Sequence, residues 1–149
     1  MTCCFFGHRD TPYQIKNDLR DLLIKLIKEK KIDRFLVGNN GNFDGLVISV
    51  LSELQPQFPD LQCFVVLYAY HPHKQEQYLL ETLYPAELET APPRFAIDRR
   101  NRWMLAQSDL VVGYIAYSTG GASHFFNLAR KHGKETYNLF VHDSHPQKI

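Results

Sequence analysis

The chain has no run of eighteen apolar residues, which excludes an ordinary membrane-spanning helix, and no signal-peptide pattern is read in it. It also lacks an excess of charge of either sign. Seventeen Lys and Arg stand against 16 Asp and Glu, a net +1 over 149 residues. No global field therefore points to nucleic acid or a membrane surface as a partner. Cysteine is scarce: Cys3, Cys4 and Cys63. Adjacent residues on a strand point to opposite faces, so Cys3 and Cys4 read as packing thiols, and a reducing cytoplasmic location is expected. His71, His73 and Cys63 come nearest to a metal-ligand set. A second closely spaced pair is missing, so no metal is expected. Repeats, linkers and low-complexity segments are absent as well. What remains is one domain over residues 1–149, long enough to bury roughly 70% of its unfolded surface.

What is present centres on Ser108 to Glu135. Leu110 to Tyr114 run without polar alternation, as a strand buried on both faces of a parallel sheet does. Ser118, Thr119, Gly120, Gly121, Ala122 and Ser123 follow as a run of small residues. A helical pattern comes next, with Ala122, Phe125, Phe126 and Ala129 on one face and Gly133 just beyond its end. Strand, small-residue turn and helix together point backbone N–H groups and a positive helix end at an anion.

The rest of the chain repeats that alternation. Thr2 to Phe6 reads as a strand ending in Gly7, His8 and Arg9. Thr11 as N-cap, Pro12 at the first helical position and Gln14 at the capping-box position open a helix that should end near Lys31. Arg34 to Val37 is a second strand, and it runs into the turn Gly38, Asn39, Asn40, Gly41, Asn42, Phe43, Asp44. A helix from Gly45, stopped by Pro56, leads to a third strand, Cys63 to Tyr68. Between Tyr70 and Phe95 a short helix from Lys74 to Tyr84 is expected, with Tyr78, Leu79 and Leu83 inward. Ile97 to Gln107 reads as a helix carrying Arg99, Arg100 and Arg102. Thr136 to Val141 is the last strand, ahead of a polar, frayed tail from His142 to Ile149.

This pattern implies a Rossmann-like α/β domain: a parallel sheet of about five strands, order 3-2-1-4-5, flanked by helices. In that order the turns after the first, second and fourth strands share the carboxyl edge, where open α/β sheets hold ligands. Arg9 and the Gly120-Gly121 turn would then face one ligand, and the inference is a nucleotide or another phosphorylated small molecule.

Five motifs in this order carry a resemblance: Phe6-Gly7-His8-Arg9, Gly38 through Asp44, Arg100 to Met104, Ser108-Asp109, and Gly120-Gly121-Ala122. The chain resembles the SLOG superfamily and, within it, the small bacterial YpsA-like "GHR" branch. The resemblance implies a Rossmann-like fold and a nucleotide-type ligand at the strand ends. The superfamily also holds LOG phosphoribohydrolases, whose pattern is an arginine followed by a Pro-Gly-Gly-x-Gly-Thr-x-x-Glu turn. Arg100 matches the arginine, and Gly120 and Gly121 match glycines. Thr119 stands for proline, Ser123 for glycine, His124 for threonine and Asn127 for glutamate. An amide does not replace a carboxylate in acid–base work, which argues against that activity.

The candidate binding set is Gly7, His8, Arg9, Gly38, Asn39, Asn40, Gly41, Asp44, Arg100, Asn101, Ser118, Thr119, Gly120, Gly121, Ala122 and Ser123. Catalytic candidates, should there be turnover, are Asp44, Asp98 and Arg100. Each has a plainer reading beside it. His8 is a ligand contact or a residue bonding adjacent turns. Asp44 touches a ribose hydroxyl, caps the helix from Gly45, or does both. A solvated helix face accounts for at least two of the three arginines. Trp103 and Met104 are most simply core, with Trp103 able to close over a base. The leading expectation is a nucleotide-binding sensor or adaptor without robust catalysis. It requires no cofactor beyond the nucleotide-type ligand itself, and self-association is plausible. A nucleotide N-glycosidase is the alternative. Single-stranded nucleic-acid binding, by analogy with the DNA-processing protein A branch, is a second alternative, and the near-neutral charge makes nucleic acid an unlikely partner.

Overall fold

A computed structural model describes residues 1–69 and 78–140. Its strands are β1 (Thr2–Gly7), β2 (Arg34–Val37), β3 (Gln62–Val66), β4 (Glu81–Leu83), β5 (Leu110–Tyr114) and β6 (Glu135–Asn138). Its α-helices are α1 (Lys16–Lys30), α2 (Asn42–Leu54), α3 (Ala96–Gln107) and α4 (Gly121–Lys131). All six strands are parallel, in the order β4-β3-β2-β1-β5-β6. The expected order of five strands holds, and one edge strand is added beside β3.

Period-two alternation along the strands divides the core. Cys3, Phe5, Phe35, Val37, Cys63 and Val65 pack with the apolar stripes of α1 and α2, including Leu19, Leu23, Val47 and Leu51. Cys4, Phe6, Leu36, Val66 and Val111 face the other way, against Met104 and Leu105 of α3 and Phe125, Phe126 and Ala129 of α4. Cys3 and Cys4 thus lie in different clusters, and all three thiols are free and buried. Gly113 permits the close approach of α4, because a Cβ there would lie 2.5 Å from the Phe6 carbonyl and 2.7 Å from the Phe126 ring. Among the described residues, no helix is long and apolar enough to cross a membrane.

Four local expectations are corrected. The helix expected over Lys74 to Tyr84 is, in its described part, the strand β4; residues 70–77 lie outside the described residues. Leu79 is 71% exposed rather than inward, and Leu80 takes the buried position. Pairing with the open edge of β3 satisfies this backbone, and Pro85 disfavours a helical Tyr84. Thr11 is not an N-cap: its buried hydroxyl donates to the His8 carbonyl at 2.6 Å, and α1 starts only at Lys16 after a single 3-10 turn, Tyr13–Ile15. Helix α2 begins at Asn42 rather than Gly45, so Asp44 sits in its first turn and not at its cap. The last strand stops at Asn138 rather than Val141; the Asn138 side chain accepts from the Ile115 and Phe140 N–H groups and donates to the Ile115 carbonyl. The expected tail, and His71 and His73, lie outside the described residues.

Candidate ligand cleft at the strand ends

β1 pairs with both β2 and β5, so the turns that follow these three strands meet at one edge. They enclose a cleft of about 320 Å³. Gly7, His8 and Arg9 reach it from the first turn, and Asn40 and Asp44 from the second. Arg100 and Asn101 reach it from α3, and Thr119, Gly120, Gly121 and Ala122 from the turn before α4.

The α4 corner presents an uncapped helix start. The first N–H groups of a helix have no partner within it. Gly120 caps α4 with φ +94°, ψ 171° and no side-chain hydrogen bond, so these donors stay open. A Cβ at Gly120 or Gly121 would meet nothing within 4 Å, so the space in front of the turn is free. Ser118 is exposed and Ser123 is buried, and neither lines the cleft.

The opposite wall is a buried polar cluster. Arg100 is 2% exposed. Its Nη1 donates to Asn39 Oδ1 at 3.0 Å and to the Val66 carbonyl at 3.1 Å. Nη2 donates to Asn40 Oδ1 at 2.7 Å, and Nε donates to Asn101 Oδ1 at 2.9 Å. Four of the five guanidinium N–H bonds are thereby used within the protein. The group also lies 5.6 Å from the Tyr68 ring centre. Asn39 donates onward to the Tyr78 hydroxyl at 2.9 Å. Burial lowers the Arg100 pKa, and the neighbouring Asp44 opposes that shift.

Asp44 Oδ2 accepts the Asn40 N–H at 2.9 Å, a carboxylate of the first turn reaching back across the helix start. Burial pushes its pKa up to about 6, against the pull of Arg100 and the Asn40 N–H. Gly38 lies behind this cluster: a Cβ there would sit 2.9 Å from both Arg100 Cζ and Asp44 Oδ2. Gly41 has φ +92° and packs against the Arg9 backbone, whose carbonyl accepts the Asn42 N–H at 2.9 Å.

His8 is nearly buried. Its Nε2 accepts the Ala116 N–H at 3.0 Å and the Tyr117 N–H at 3.4 Å, so the neutral ring carries its proton on Nδ1. Burial lowers its pKa, which keeps it neutral. The imidazole therefore both lines the cleft and ties the turn after β5 to the turn after β1.

Several candidates stand elsewhere. Asp98 pairs with Arg102 at 2.7 Å on the outer face of α3 and does not line the cleft. Arg99 is exposed, and so is Asn127. Trp103 Nε1 donates to Glu87 Oε2 at 2.8 Å outside the cleft. Five lining residues were not singled out from sequence as site residues: Phe5, Phe6, Ile97, Met104 and Tyr117. The first four carry only a core signal. Tyr117 sits between the small residues Ala116 and Ser118, and that contrast is a signal. Among the described residues, no group of three His, Cys, Asp or Glu side chains is placed to hold a metal ion.

An all-parallel sheet between two helical layers, with a cleft at its carboxyl edge, defines a Rossmann-like α/β domain. No family profile matches the chain, and no curated protein does. Solved structures do. DNA processing protein A from Helicobacter pylori, described for its single-stranded DNA binding mode, superposes with a TM-score of 0.66 at 16% identity, over 99% of this chain and 68% of that one. DNA processing protein A from Streptococcus pneumoniae superposes with a TM-score of 0.63 at 15% identity, over 91% of this chain and 48% of that one. The fold is therefore of the kind seen in DNA processing protein A.

Proposed function

We propose that the protein binds nucleotide units in this cleft, with a phosphate seated on the open N-terminus of α4. The observation that carries this reading is the uncapped Gly120-Gly121 helix start, with clear space in front of it, in one cleft with Arg9. Backbone donors and an Arg are the usual chemistry for a phosphate.

A single strand of nucleic acid is the form of ligand that the likeness to the Helicobacter pylori protein favours. The net charge of +1 made nucleic acid an unlikely partner, but one phosphate seat depends on the local N–H groups and Arg9 rather than on the whole surface. A free nucleotide is the second reading, favoured by a cleft volume of about 320 Å³, at the lower end of small-ligand sites. It suits the YpsA-like sensor or adaptor to which the sequence motifs point. Neither reading includes turnover. Asn127 faces solvent outside the cleft, and Asp98 is engaged with Arg102.

Fluorescence anisotropy with a labelled oligothymidylate, competed with AMP and with inorganic phosphate, tests the proposal. Binding that Gly121→Val removes supports the cleft. Weak competition by AMP marks the strand as the ligand, and full competition marks the mononucleotide. If neither oligonucleotide nor AMP binds the wild-type protein, the proposal is wrong.

A further inference from the structure

Tyr117 is an exposed aromatic side chain held as if it were buried. It is 46% exposed, and it lies between β5 and α4 with small residues, Ala116 and Ser118, on either side. Its ring nevertheless lies flat on His8, with centres 3.6 Å apart and planes 5° from parallel. Its hydroxyl donates to Asp10 Oδ1 at 3.0 Å, which fixes the far end of the ring. His8 is fixed in turn by the two N–H groups bound to its Nε2 and by Tyr114, which meets it edge-on at 6.5 Å. A loop aromatic of this exposure ordinarily samples several rotamers and is ordered only when a partner arrives. Here that ordering cost is already met in the free protein.

The position matters as much as the rigidity. The large apolar and aromatic side chains left exposed among the described residues are Met1, Tyr13, Leu79, Phe95 and Tyr117, and of these Tyr117 alone lines the cleft. With His8 covering one ring face, the exposed area falls on the other face and the edge. Tyr117 is three residues before Gly120, and three residues of chain span at most about 10 Å. That is the scale on which a nucleotide separates its base from its phosphate.

We propose that the open face of Tyr117 is the platform on which the base of the bound nucleotide stacks, with His8 as a second layer behind it. The inference rests on the phosphate reading of the α4 turn and adds the part of the ligand that this turn does not touch. It also specifies the kind of selectivity. A ring face accepts any base, so recognition is tolerant of sequence and favours the larger purine rings. A sugar phosphate without a base gains nothing from it.

The test compares AMP with ribose 5-phosphate by calorimetry on wild-type protein, Tyr117→Ala and Tyr117→Phe, with melting curves to show that each variant is folded. Wild-type protein is expected to bind AMP roughly tenfold more tightly than ribose 5-phosphate, the scale of one base–aromatic stack. Tyr117→Ala should bring AMP down to the ribose 5-phosphate level and leave ribose 5-phosphate unchanged. Tyr117→Phe, which keeps the ring and loses only the bond to Asp10, should retain most of the preference. The ring protons of Tyr117 should show an upfield NMR shift on adding AMP and none on adding ribose 5-phosphate. An alanine variant that keeps the preference overturns the platform. So does one that weakens both ligands equally, because Tyr117 then only supports the turn. If wild-type protein binds ribose 5-phosphate and AMP alike, the platform fails while the phosphate site stands. If it binds neither of these nor oligothymidylate, both fail; where oligothymidylate alone binds, Tyr117→Ala must weaken it roughly tenfold or the platform fails.

Discussion

Arg100 Nη2 donates to the side-chain oxygen of Asn40 at 2.7 Å, joining helix α3 to the turn after β2 across the floor of the cleft. The same guanidinium holds Asn39 and the end of β3, so one buried side chain fixes three segments around the cleft. Removing it would leave three amide oxygens, a main-chain carbonyl and the Asp44 carboxylate with lost or weakened partners. Arg100→Met is therefore expected to cost about 3 kcal/mol or more in urea unfolding. Arg100→Lys should rescue little, because a single ammonium cannot span the same acceptors in their planar arrangement. A loss below about 1 kcal/mol for the Met variant would show that the cluster does not hold the fold.

Gly120 and Gly121 separate backbone strain from ligand access. Neither would place a Cβ within 4 Å of protein, but only Gly120 has a positive φ, +94°. Gly120→Ala is expected to destabilise by about 1–2 kcal/mol through backbone strain. Gly121→Ala should stay within about 0.5 kcal/mol of wild type. Gly121→Val should melt close to wild type and lose ligand affinity, because its side chain occupies the space in front of the helix start. Equal melting temperatures for the Gly120 and Gly121 alanine variants would contradict this assignment of strain.

The main fold was legible because its signals are periodic. The buried strands read as continuous apolar runs, the helices carried their stripes, and the strand order followed from the alternation itself. Edge strand β4 escaped because three residues are too few to show a period, and its stability comes from the open edge of β3, which lies elsewhere in the chain. The starts of α1 and α2 were misplaced for a related reason. Thr11 and Asp44 are good local caps, but backbone groups of the preceding turns claimed them: the His8 carbonyl for Thr11 and the Asn40 N–H for Asp44. In the cleft, the glycines and charged residues announced themselves, whereas Phe5, Phe6, Ile97 and Met104 look the same in sequence whether they face a core or a ligand.

The cysteines should be silent in the native protein. Burial raises all three thiol pKa values, to about 12 for Cys4 and Cys63, so almost no thiolate forms near neutral pH. A chromogenic disulfide reagent at pH 8 should find no fast thiol in the folded state and all three in denaturant. Rapid labelling of any one without unfolding would place that thiol at a surface.

Asp44 makes stability depend on pH in the direction opposite to most carboxylates. Its pKa is pushed from 3.8 to about 6 by burial, so the folded state holds this proton more tightly than the unfolded state does. Between about pH 4 and pH 6 the folded chain therefore carries more protons at this site, and stability falls as pH rises through that window. A shift of about two units corresponds to roughly 3 kcal/mol, present as a penalty above pH 6 and relieved as the group protonates. His8 works in the opposite sense: its pKa is lowered, so its contribution is lost as pH falls below its ordinary 6.5. The two are separated by taking the difference between wild type and Asp44→Asn in urea unfolding from pH 4.5 to 7.5, in which the His8 contribution cancels. The amide oxygen can still accept the Asn40 N–H, but Asn also removes the charge facing Arg100, so the slope of the difference is the readout and not its absolute size. Wild type is expected to lose stability relative to the variant as pH rises from 4.5 to about 6 and then to level off. Parallel curves would show that Asp44 titrates as an ordinary carboxylate, already ionised across this range.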